Sequence, residues 1–220
     1  VFAIRMFGEE LQAYCDKVRA MLGALPGAIA NRDAAALKAL RADCAQVEAA
    51  EGELANYAVE LLSAGATSER QAAEISDLMF IVDAVGRIGS RCGETAALYG
   101  ERLSSKKPFS DEAREELAES AAMVSDMYDA VLRFLSDQDA ASERVLDERR
   151  RQIIKRQSRA RKAHFRRVGS QLCAPENKAV YNQLLLCLER AGNECSNLVE
   201  HGAELSMWGD ALGADRRPDA

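Results

Sequence analysis

The chain is short of the residues that build sheets and of those that break helices. Aromatic residues make up 5% of its 220 positions, with one tryptophan and four prolines. Alanine is plentiful instead, and that balance favours helix over strand. Positive charge is also in deficit, the formal net charge being -6. General nucleic-acid binding is thereby disfavoured, because it needs a basic surface to displace counterions. No stretch approaches the roughly 20 apolar residues that cross a bilayer, and no signal-peptide pattern opens the chain. A glycine-rich phosphate loop, a nucleophile elbow and a Ser-His-Asp arrangement are all missing, which points away from an enzyme. The six cysteines form no close-spaced framework. They read as reduced thiols in a cytosolic setting, used as small apolar residues on helix faces. With Val1 in place of an initiator methionine, the expectation is a soluble segment with more sequence upstream.

What the chain does have is an internal repeat, the first feature to look for because it decides the architecture. Arg190, Gly192 and Cys195 follow Arg87, Gly89 and Cys92 at one offset of 103 residues, with Leu185 and Leu188 falling on Val82 and Val85. Hydrophobic residues at 48% and charged residues at 29% supply an ordinary globular core and surface. The length suits one large domain or two of about 100 residues, and the repeat favours the doubled form.

Apolar spacing places six helices. Ile4, Phe7, Leu11, Tyr14, Val18, Met21, Leu22 and Leu25 recur at steps of three and four, predicting a helix from Phe2 to about Leu25 that Pro26 and Gly27 kink or end. Asp33 is an N-cap for a second helix running to about Ser63, followed by a turn through Gly65. Ser68 with Gln71 makes a capping box for a third reaching about Leu103. The polar stretch Ser104 to Ser110, broken by Pro108, divides a first three-helix repeat over 1–105 from a second over 108–209. Ser110 and Asp139 cap the fourth and fifth helices, which run to about Ser136 and Gly169; Pro175 falls in the first turn of the sixth, which ends near Trp208. Residues 210–220 are too polar and glycine-rich to pack and read as a disordered tail. The predicted fold is therefore all-α, two tandem three-helix bundles of six long antiparallel helices.

Two constellations could carry chemistry. Glu143 and Asp147 stand four residues apart on the fifth helix, as do Glu189 and Asn193 on the sixth, so each pair shares a helix face. Faces packed together would converge three carboxylates and an amide, an oxygen set suited to a divalent cation or to iron or manganese. Acidic pairs at this spacing are also common on wet, salt-bridged surfaces. The basic run from Arg149 to Arg167 has two readings as well. It can face the acidic fourth helix across a hairpin, or form a docking strip for anionic headgroups or an acidic partner. In either case Ile153, Ile154, Ala160, Ala163, Phe165 and Val168 are expected to supply its inward face. His164 and His201 lack partners at ligand spacing and read as packing or solvent residues, and Cys187 and Cys195 show no zinc pattern.

Together with the run ARKAHFRRVGSQLCAPENKAVYNQLLLCLERAGNECSNLVE, these features resemble the PhoU family, most of all the PhoU-like domain at the C-terminus of bacterial sodium/phosphate cotransporters. LERAGNE at Leu188 to Glu194 resembles the family's LERIGDH-type motif, and Glu143 to Asp147 its E-x-x-x-D pair; VGRIGSR at Val85 to Arg91 keeps part of the motif in the first repeat. The resemblance implies a divalent or iron-type metal at Glu143, Asp147, Glu189 and Asn193, although Asn193 stands where the family has Asp. In the first repeat, Gly86 and Ser90 replace the acidic residues and Glu48 has only Cys44 four residues before it, so a metal site is not expected there.

By the same resemblance, the chain is a non-catalytic regulatory domain of phosphate transport at the cytoplasmic face of the inner membrane. Its partner would be the membrane portion of the same chain, or a phosphate transporter or sensor kinase. A free-standing PhoU-type negative regulator of the phosphate-starvation response and phosphate importer is the alternative within the family. A di-metal carboxylate enzyme and a plain helical scaffold are the alternatives outside it. The elongated bundles also suit a homodimer.

Overall fold

A computed structural model describes residues 2–64, 68–137, 140–170 and 174–202. Among them are six α-helices and no strand: α1 Phe2–Ala30, α2 Ala34–Ser63, α3 Glu69–Leu103, α4 Asp111–Asp137, α5 Ala140–Gly169 and α6 Asn177–Gly202. The turn through Gly65, the Asp139 cap, the end near Trp208 and the polar tail 210–220 fall wholly or partly outside the described residues.

Local chemistry starts the helices where the caps predict. Asp33 accepts the amide of Ala36 at 3.0 Å, and Ser68 and Gln71 form the reciprocal capping box. Such caps satisfy amides that have no partner inside the helix, each contributing about 1 kcal/mol. Ser110 accepts the amide of Ala113 at 3.3 Å and so opens α4.

Two boundaries differ from expectation. α1 runs through Pro26 to Ala30, and Ala28 and Ile29 are buried. Its stop is Arg32, at φ 53 in the left-handed region, where the amides of Arg32 and Asp33 turn back onto Ile29 and Ala28. Burial beyond the proline outweighs the one hydrogen bond it cannot donate. Pro175 lies two residues before α6, in a turn where Asn177 and Lys178 donate to Ala174 and Pro175.

Each of α1, α2 and α3 packs on the other two, and so do α4, α5 and α6. The trios meet through like members, α1 on α4 and α3 on α6. One hydrophobic cluster draws side chains from all six helices, among them Leu11, Leu40, Val85, Tyr128, Ile153 and Leu188. Buried tyrosines tie the layers by donating to carbonyls: Tyr14 to Val82, Tyr99 to Ile29 and Tyr128 to Cys15. The connection after α3 is anchored too. Phe109 is buried between Tyr99 and Tyr181, and Asn177 donates to the Pro108 carbonyl.

The offset of 103 holds at the level of burial. Val82 and Leu185, Val85 and Leu188, and Cys92 and Cys195 are all buried, while Arg87 and Arg190 are both exposed. α5 departs from its expected inward face. Ile153 and Ala160 are buried, but Ile154 is 51% and Phe165 44% exposed. Gln157 and His164 occupy inward places with them, while Ile154 and Phe165, one residue on from Ile153 and His164, are turned about 100° away.

Candidate functional site

α5 is seated largely by charge. Arg156 pairs with Glu119 of α4, Arg161 with Glu189 of α6 at 2.5 Å, and Arg167 with Glu116 of α4 through two hydrogen bonds of 3.1 and 2.5 Å. The basic run therefore does face the acidic fourth helix along one flank. The Arg167 pair is the best shielded of these, and the Tyr181 hydroxyl donates to the same Glu116 carboxylate at 2.7 Å. Hydrogen bonding to Glu116 raises the Arg167 pKa further, whereas burial followed by that hydrogen bond raises Tyr181.

His164 completes this cluster. It is fully buried and stacks on the Tyr181 ring at 4.0 Å between centroids, with both ring nitrogens lacking a hydrogen-bond partner among the described residues. Burial, then the Arg167 charge, push it down to about 4 against the opposing pull of Glu116. The imidazole is therefore neutral at pH 7 and serves as packing. Sequence reasoning missed this cluster. Its one signal was an acidic residue, Glu116, beside Ala113, Leu117 and Ser120 on the buried face of α4.

Two turns further towards the start of α5, a shallow cleft opens between α5 and α6. Met127, Arg150, Ile153, Ile154, Gln157, Glu189, Gly192 and Asn193 line it. Gln157 is buried and neither of its side-chain polar atoms finds a partner among the described residues. Of the four oxygen donors singled out from sequence, Glu189 and Asn193 share this cleft. Asp147 is exposed and does not line it, and the Glu143 side chain lies outside the described residues. Among the described residues, no group of three or more His, Cys, Asp or Glu side chains is placed to hold a metal ion. Arg161 already neutralises Glu189 and Arg150 lines the same cleft, so the described groups fit an ion-paired surface better than a cation.

The corresponding place in the first trio is filled by contact. A Cβ on Gly86 would meet the Glu51 carboxylate at 2.5 Å, and one on Gly93 would meet Cys44 Sγ at 2.7 Å. Burial, then Asp83, raise the Glu51 pKa, while Arg87 opposes the shift. Arg87 itself crosses to Glu194 of α6 at 3.0 Å, joining the trios. Among the described residues five cysteines are free thiols, and burial pushes Cys92 and Cys195 up to about 12. They are inert small apolar residues at neutral pH.

Neither family models nor curated protein sequences match the chain. Solved structures do. The phosphate transport system regulatory protein PhoU from Streptococcus pneumoniae superposes with a TM-score of 0.77 at 14% identity, covering 92% of this chain and 94% of that one. The fold is that of the PhoU proteins. PhoU from Pseudomonas aeruginosa aligns over 97% of this chain and 98% of its own, with a TM-score of 0.50 and 14% identity. The PhoU fold thus spans nearly the whole chain. Among the described residues, no helix is long and apolar enough to cross a membrane.

Proposed function

We propose that the chain is a regulator of phosphate transport, and that it works as the PhoU-like domain of a sodium-coupled phosphate transporter, tuning uptake to intracellular phosphate. The observation that carries the first part is coverage in both directions by a protein described as a phosphate transport regulator. A partial match would leave room for a borrowed helical module. The cotransporter reading rests on the sequence resemblance of LERAGNE and the acidic pair ERVLD. In this reading the two trios form the body of the regulator, and α5, seated mainly by charge, is the helix that shifts against a membrane partner while keeping its internal hydrogen bonds.

Deletion of this segment from the native gene tests it. Loss should uncouple phosphate uptake from phosphate supply by several-fold. If the sodium-dependent component changes, the transporter-domain reading stands. A change confined to a sodium-independent importer favours a free-standing regulator, and unchanged uptake leaves only a scaffold. For Glu143, Asp147, Glu189 and Asn193 to take a cation, Arg161 has to leave Glu189. Metal analysis of the purified chain before and after Glu189→Gln reads that directly.

A further inference from the structure

The outward arc of α5 is not accounted for by the contacts that seat the helix. α5 carries eleven Lys and Arg against three Asp and Glu, in a chain whose net charge is -6. Its inner-flank arginines are paired, but Lys155, Arg159, Lys162 and Arg166 make no ion pair among the described residues and are exposed. Beside them stand Ile154 and Phe165, 51% and 44% exposed. Eleven residues separate these two, three helical turns, which places them on one line about 16 Å apart. Lys155, Lys162 and Arg166 run along one side of that line, and Arg150 lies on the other. Lys178 of α6 reaches over the Phe165 ring at 4.8 Å. The helix's described acidic residues, Asp147 and Glu148, fall towards its start, away from Phe165.

We propose that this face of α5 docks on an anionic lipid bilayer, the cations meeting headgroups while Ile154 and Phe165 enter the apolar boundary. Free cations alone would suit any acidic surface. The two apolar side chains along the strip decide for lipid, since a bilayer surface offers negative charge and hydrocarbon in the same plane. The long Lys and Arg stems can lie along the boundary while their charges stay in water. This surface stands independently of the regulatory reading, because it needs only α5 and its neighbours.

Flotation of the purified chain with vesicles tests the proposal without any transport assay. Vesicles of equal parts phosphatidylglycerol and phosphatidylcholine should bind at least tenfold more tightly than phosphatidylcholine alone, with most binding lost at high salt. Lys155→Gln with Lys162→Gln should weaken binding on the order of 30-fold, about fivefold for each charge. Ile154→Ser with Phe165→Ser should weaken it about tenfold at unchanged charge. All four positions are exposed, so circular dichroism should show each variant folded. Equal binding to both vesicle types, or none, overturns the proposal. So does binding that the lysine variants lose and the serine variants keep, since that marks a strip for an acidic protein. A dimer in solution that the lysine variants dissolve would assign the face to a second copy, and the lipid assignment fails.

Discussion

The middle helices of the two trios, α2 and α5, are held in different ways. In α3, Gly86, Gly89 and Gly93 face α2, and 103 residues on α6 carries Glu189, Gly192 and Ser196 in their places. Where the side chains are missing, α2 comes close: a Cβ on Gly89 would lie 3.1 Å from Val47 and 3.3 Å from Val18. Where they return, the helices stand off. A Cβ on Gly192 would meet nothing within 4 Å, and Glu189 reaches out to Arg161 instead. One helix is seated by dispersion and apolar burial, the other by ion pairs bridging an imperfect fit. The orphaned polar atoms of Gln157 and His164 lie on that second seam. α5 is therefore the element most open to salt, pH and partners, which suits a moving part.

The sharpest way to break this contrast is to remove its best-shielded ion pair. Arg167→Met should cost about 3 kcal/mol, because Glu116 and the Tyr181 hydroxyl stay behind, largely buried, without the cation. Arg161→Met, whose pair is about one-third exposed on each side, should cost no more than about 1 kcal/mol. Chemical denaturation of both variants decides. Equal losses would mean that burial does not grade these pairs and that α5 is held by something else.

The contrast also marks how far the chain could be read from sequence. Six helices, three observed caps and most of the core follow from spacing, because in α1, α3 and α4 one apolar stripe decides one buried face. α5 fails that test. Its stripe is thin, so polar Gln157 and His164 take inward places, and nothing in the period distinguishes buried Ile153 from exposed Ile154. The Glu116 cluster was hidden for the related reason that its members come from three helices and are joined only by packing. The shared placement of Glu189 and Asn193 on one cleft was legible, since both lie on one helix face. The intervening Arg161 was not, because it arrives from the other helix.

Acid should loosen the second trio before the first. His164 is held near 4 in the folded chain against an ordinary value of 6.5. Its burial therefore favours the neutral form, and the unfolded chain binds the proton first as pH falls. Stability from this site is complete above about pH 6.5 and is lost progressively towards pH 4, about 2 kcal/mol being gone by pH 5. His164→Leu should flatten that part of the stability profile while leaving the carboxylate-driven loss at lower pH. Hydrogen exchange should show the acid-induced opening in α5 while α2 stays protected. An unchanged slope in the leucine variant would remove histidine from the account.

A glycine-to-alanine substitution carries the comparison most directly, because it should have opposite signs on the two seams. Alanine gains about 1 kcal/mol over glycine inside a helix. At Gly192 nothing stands in the way, so Gly192→Ala should stabilise by up to that amount. At Gly93 the new methyl group would sit 2.7 Å from Cys44 Sγ and 2.8 Å from its Cβ, so α2 itself has to give. Overpacking of that kind costs about 1–3 kcal/mol, which outweighs the helix gain and leaves Gly93→Ala destabilised by up to about 2 kcal/mol. Thermal unfolding of the two variants beside the parent separates the cases. If both alanines stabilise, α2 has slack against α3, and the two trios are seated alike.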